Sequence, residues 1–111
     1  KSTSESGNKI EGTISISGAF ALYPLVNVWA EEFRKEYPDV KFNVSAGGAG
    51  KGMADALGGA LDLGMVSRDI QPAETAQGAL GMSVTKDAVL PTISSNNPLL
   101  AEIKAKGLTR A

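Results

Sequence analysis

The sequence contains no cysteine and no histidine. The first absence removes disulfides, zinc–thiolate sites and thiol nucleophiles; it suits an exported protein without disulfides and leaves the cytosol open. The second removes the commonest general base and metal ligand, and with it Ser-His-Asp and His-metal chemistry. An enzyme built on this chain would have to move protons with Asp, Glu, Lys or Tyr. Charge of one sign is lacking too, since eleven basic residues stand against twelve acidic ones for a net charge of −1. That balance offers neither the counterion-release footprint of a nucleic-acid binder nor a polybasic surface for membranes, so a small ligand or a protein partner is expected. No apolar run approaches the roughly 20 residues of a membrane-spanning helix, and neither a start methionine nor a signal-peptide core is present. A trimmed chain is therefore expected.

What is present fits one folded domain or one lobe of a larger protein. The chain has 111 residues, 42% of them hydrophobic and 21% charged, which is enough for one core. "KSTSESGNK" at the start is polar and serine-rich, and reads either as a tether left after processing or as an ordinary frayed terminus. "GTISISG" (12–18) alternates Ile14 and Ile16 with hydroxyl residues and predicts a strand. Leu22, Val26, Trp29 and Phe33 then fall at helical spacing over 23–37 and predict a core-facing stripe, with Leu25 and Ala30 flanking it. Glu31 precedes Lys35 by four, the favourable order for a surface ion pair. Pro24 suits a first turn, and Pro38 predicts that the helix stops by Tyr37.

"VKFNVSA" (40–46) reads as a second strand, followed by the glycine-rich "SAGGAGKGM" and a short helical face of Met53, Ala56, Leu57 and Ala60 that weakens at Gly58 and Gly59. "LDLGMVS" (61–67) predicts a third strand, 72–77 a single helical turn, 79–87 and 88–94 two more strands, and 97–107 a helix with Leu99, Leu100 and Ile103 inward and Gly107 as its stop. Strand–helix alternation of this kind argues for an α/β layer with parallel strands. Ligands gather in such sheets where strands end and helices begin, which here means the connections 18–22, 46–51 and 66–71.

The glycine loop does not meet the requirements of a nucleotide motif. Gly50-Lys51 is followed by Gly52 where a Walker loop needs a hydroxyl residue, and Ser45 stands where it needs glycine; "GGAGKG" also lacks dinucleotide spacing. Glycines ahead of a helix instead let backbone N–H groups converge on an anion at its N-terminus, or merely permit a tight turn. "SGAFAL" precedes the first helix in a comparable way, and "VSRD" (66–69) could add a hydroxyl and a guanidinium. Arg68 reads as an anion clamp or as a surface partner of Asp69 or Glu74; Lys51 as an anion attractor or a solvated charge; Asp62 as a cap for a neighbouring segment; Phe20 and Tyr23 as pocket mouth or packing.

Residues 12–70 closely, and 79–110 more loosely, resemble the first lobe of the periplasmic phosphate-binding proteins of ABC transporters, a family of type II solute-binding proteins. The resemblance rests on Gly18, Pro24 and Trp29-Ala30, then Gly47, Gly48, Gly50 and Gly52, then Asp62, Gly64 and Ser67-Arg68, with "VTKDAVLPTISSNNP" and "GLTR" further on. It implies a three-layer α/β lobe with a mostly parallel central sheet flanked by helices, incomplete without a second lobe and a returning C-terminal segment. Its implied anatomy is a tether at 1–10, the lobe at 11–107 and the start of a crossover at 108–111. The ligand-binding positions that carry over are Ala19, Phe20, Ala21, Gly48, Ala49, Gly50, Ser67 and Arg68. The family's hydroxyls are missing at the first two loops, where Phe20-Ala21 and Ala49 stand.

The resemblance thus implies extracytoplasmic capture of phosphate or a related oxyanion for the permease subunits of an ABC importer, at the outer face of the cytoplasmic membrane and with a lipid tether as one reading of the start. It implies no catalysis, no metal and no cofactor, and weak binding together with self-association if the lobe stands alone. A sensory domain for an anion, or an enzyme acting on phosphorylated substrates, are the competing readings.

Overall fold

A computed structural model describes residues 9–109. The elements run β1 (Gly12–Gly18), α1 (Tyr23–Glu36), β2 (Val40–Ala46), α2 (Ala49–Leu57), β3 (Leu63–Met65), α3 (Pro72–Ala76) and α4 (Leu100–Lys106). The first two strands keep the bounds that their alternation predicts. β1 lies in the middle of a three-stranded sheet ordered β2-β1-β3, and both of its pairings are parallel. The α/β class with a parallel sheet flanked by helices is therefore as expected.

Register explains how the two long helices divide the sheet between them. Ile14 pairs with Phe42 and Ile16 with Val44, so these four side chains share one face. Leu22, just ahead of α1, and Val26 within it close that face over the buried Ile16, Ala19 and Met65. Ser17 pairs with Gly64 and points the other way, toward α2. A Cβ at Gly64 would stand 2.6 Å from the Gly52 carbonyl oxygen, and one at Gly52 would stand 2.6 Å from the Gly18 Cα and 2.8 Å from the Ser17 carbonyl oxygen. Only a chain without side chains at these crossings lets α2 lie directly on the ends of β1 and β3.

Helix α1 begins with Pro24 in its first turn and ends where Tyr37, next to Pro38, donates its amide to the Phe33 carbonyl. Arg34 and Lys35 occupy its last turn, where cations complement the helix dipole. Its apolar stripe is only partly used. Trp29 and Phe33, expected in the core, are 43% and 41% exposed, and the buried residue of the helix is Ala30. The reason is that α1 leans on β2, an edge strand, so the stripe overhangs the sheet; Phe33 meets Phe42 edge-on at 5.7 Å between ring centroids. The expected pairing of Glu31 with Lys35 is also corrected, since Lys35 bonds Glu32 at 2.6 Å.

Departures concentrate in the second half. The strand expected over 61–67 is three residues long. Residues 79–94, expected as two strands, form none, and their apolar side chains face solvent, Leu80 at 95% and Val89 at 93% exposure. Among the described residues no strand lies beside them to accept their backbone groups, so the alternation alone does not hold them in a sheet. The last helix is shorter than expected and buries none of Leu99, Leu100 and Ile103. With this stretch unpaired the chain extends 81 Å along its longest axis. Among the described residues no helix is long and apolar enough to cross a membrane.

Candidate functional site

Three loops leave the same end of the sheet, because Gly18, Ala46 and Met65 close their strands in register. They are then stitched to one another. The amides of Gly47 and Gly48 both donate to the Gly18 carbonyl, at 3.0 and 2.9 Å, and the Ala19 amide donates to the Met65 carbonyl at 2.9 Å. The connection after β1 is thus bonded directly to those after β2 and β3, which places the three regions singled out by sequence side by side.

These bonds divide the expected ligand-binding positions into two groups. The amides of Ala19 and Gly48 are already committed within the protein, so in this structure these residues shape the loops and do not offer donors. Phe20, Ala21, Ala49 and Gly50 carry amides with no acceptor among the described residues. For Ala49 and Gly50 the cause is general, since the first amides of a helix have no carbonyl a turn behind them. The first backbone bond at this end of α2 is Gly52 to Gly48, at 3.0 Å. Lys51 is therefore a third unpartnered amide of that turn. Sequence reasoning missed it by including Gly48; the signal that could have found it is a glycine in the N-cap position, which starts the helix one residue later.

The side chains around the loops are largely paired. Arg68 donates from Nη1 to Glu74 Oε2 at 2.9 Å and from Nη2 to Glu74 Oε1 at 2.6 Å, with a further bond from Nη1 to the Asp69 carbonyl at 2.9 Å. Of its two expected partners, Glu74 takes the ion pair. The Arg68 hydrogen bonds, and then the Gln71 amide, hold the Glu74 carboxyl at a pKa of about 2, below the ordinary 4.5. The same contact raises the Arg68 pKa above its ordinary value. Lys51 is held by Asp55 one helical turn on. Asp62 accepts the Ser15 amide at 2.7 Å, which is the capping part its position suggests. Phe20 is 69% exposed and stands at the rim, and Ser67 is exposed as well.

Among the described residues no wall encloses the loops. Two shallow hollows lie nearby: one is bordered by Ser15, Asn43 and Leu61 on the sheet, the other runs along α2 past Met53 and Leu57 to Glu74 and meets the loops at Gly50. The arrangement is an open shelf of backbone donors at a helix N-terminus, suited to hydrogen-bonding an anion.

A family model described as a PBP superfamily domain matches residues 3–111. This chain belongs to the PBP superfamily. Phosphate-binding protein PstS of Bacillus subtilis (strain 168) is 42% identical over 67 residues, 58% of this chain and 22% of that protein. Among solved structures, a phosphate-binding protein of a phosphate ABC transporter from Streptococcus pneumoniae TIGR4 superposes with a TM-score of 0.60 at 28% identity, over 63% of this chain and 27% of that one. A putative phosphate ABC transporter substrate-binding protein with bound phosphate, from Clostridium perfringens, gives a TM-score of 0.57 at 32% identity, over 60% and 28%. This PBP-superfamily chain thus spans about a quarter of the length of the relatives it matches.

Proposed function

We propose that residues 11–107 are the first lobe of a longer extracytoplasmic solute-binding protein, with 1–10 as tether and 108–111 as the start of a crossover, and that it takes phosphate or a related oxyanion for an ABC importer. The observation that carries this reading is the shelf itself: the unpartnered amides of Phe20, Ala21, Ala49, Gly50 and Lys51 on loops bonded to one another at the C-terminal ends of three parallel strands. The relatives' names, all of them binding proteins, support the anion and favour capture without covalent chemistry.

In this mechanism the amides replace water around the anion and the α2 dipole adds to them. Ser67 both donates and accepts, so its hydroxyl takes the proton of a P–OH group, which a site made only of donors leaves unsatisfied. A second lobe then closes over the shelf and excludes water. Permease subunits and a lipid tether belong to this proposal. Titrating the complete gene product with orthophosphate, and separately with sulfate in the same buffer, tests it by calorimetry. Saturable heat with phosphate and little with sulfate is expected; no heat with either ion would overturn the reading.

A further inference from the structure

We infer that Glu74 is a positioning residue that sets the charge the anion shelf presents: it holds Arg68 as a closed pair, so the guanidinium meets the ligand without an unmatched positive charge. The inference rests on the anion-binding reading proposed above. Its basis is the way Glu74 is held from two sides. One side is the fork of Arg68, at 2.9 and 2.6 Å. The other is the start of α3, where the Gln71 amide donates to Glu74 Oε2 at 2.8 Å while the Glu74 amide donates back to the Gln71 carbonyl at 2.9 Å. The Glu74 side chain is only 17% exposed, and it borders a hollow that Gly50, in the first turn of α2, borders too. Glu74 and the first turn of α2 thus line one hollow.

Two-point pairing of this kind fixes a guanidinium in direction as well as charge. Three of the five N–H groups of Arg68 are engaged, two by Glu74 and one by the Asp69 carbonyl. The Nε–H and one N–H on Nη2 have no acceptor among the described residues, and these remain for a ligand. Lys51, the other cation beside the loops, is likewise matched by Asp55. An incoming anion consequently meets donors with direction and almost no unmatched positive charge, so a change of ionic strength has little to screen.

The test compares the complete gene product with its E74Q and R68Q/E74Q variants, titrated with orthophosphate at low and high salt, with thermal melts as the control for folding. E74Q leaves the guanidinium without its counter-charge. Its phosphate affinity is expected to rise roughly five- to tenfold at low salt, as one uncompensated charge a few ångströms away would produce, and that gain should vanish at high salt. R68Q/E74Q, which removes both charges, should return to the weak salt dependence of the unaltered protein. A melt-normal E74Q with unaltered affinity and salt dependence would overturn the inference, as would a double variant that keeps the steep salt dependence. If E74Q does not fold, a steep salt dependence in the unaltered protein or in the double variant overturns it, and weak dependence in both supports it. Absence of phosphate binding by the unaltered protein overturns the anion reading itself and this inference with it.

Discussion

Gly52 is the residue on which the shelf depends most directly. It lies in the first turns of α2 and its Cα crosses the end of β1, so any side chain meets backbone: 2.6 Å to the Gly18 Cα and 2.8 Å to the Ser17 carbonyl. Backbone cannot swing aside as a flexible side chain can. Gly52→Ala is expected to push α2 off the sheet and to destabilise the fold by about 1–3 kcal/mol, the usual cost of overpacking, read as a lower urea midpoint. An unchanged midpoint would mean that the helix can slide without loss. Glu74 gives a second residue-scale expectation, in acid. Its carboxyl has a pKa of about 2 in the folded protein against 4.5 ordinarily, so its contribution to stability is complete above pH 4.5 and is lost as the pH falls toward 2. Stability measured by denaturant titration should therefore differ between the unaltered protein and Glu74→Gln at neutral pH, and the two should converge through that window. Parallel pH profiles would disprove the assignment.

Among the elements, β3 shows how little backbone holds a functional loop in place. It is three residues long, and its entry is pinned by a side chain: Asp62 accepts the Ser15 amide at 2.7 Å while its own amide reaches the Ser15 carbonyl at 3.1 Å. Asp62→Ala removes the acceptor and leaves the Ser15 amide to solvent, for a loss of about 1 kcal/mol. Hydrogen exchange should then quicken at residues 63–65 more than in β2; uniform exchange would show that the strand needs no such pin. Much of this was legible beforehand. The bounds of β1 and β2 follow from alternation, and the stop of α1 from Pro38, because these signals are local. What alternation does not carry is a partner. Leu80, Met82 and Val84 repeat with the period of a strand and lie open, since strand formation needs a neighbouring ladder that spacing alone does not reveal. The stripe of α1 misled for a similar reason: Trp29 and Phe33 fall in phase, but burial depends on how far the sheet extends beneath them. At the site, the loops could be read from glycine and order, whereas the choice between spent and unspent amides required the bonds of Gly18 and Met65.

At the scale of the whole molecule the shelf faces water, and this limits what the 111-residue chain can do by itself. A hydrogen bond from an exposed amide to an anion replaces one from the amide to water and one from water to the anion, so its net contribution is small. Five such amides in the open do not gain what they would in a site from which water has been expelled. The chain spans 22% of its Bacillus subtilis relative and 27% of its Streptococcus pneumoniae structural neighbour, so the covering wall, on the reading proposed here, lies in sequence beyond it. The 111-residue chain should therefore bind orthophosphate only in the millimolar range, while the complete gene product binds far more tightly. Leu80, Val89 and Leu90 add a second consequence, since uncovered apolar groups favour association between copies as concentration rises. Sedimentation equilibrium and calorimetry on the same sample separate the two effects: association without tight binding agrees with an open shelf. Micromolar binding by a monomer would mean that the three loops alone exclude enough water, and that a second lobe is not what gives the site its affinity.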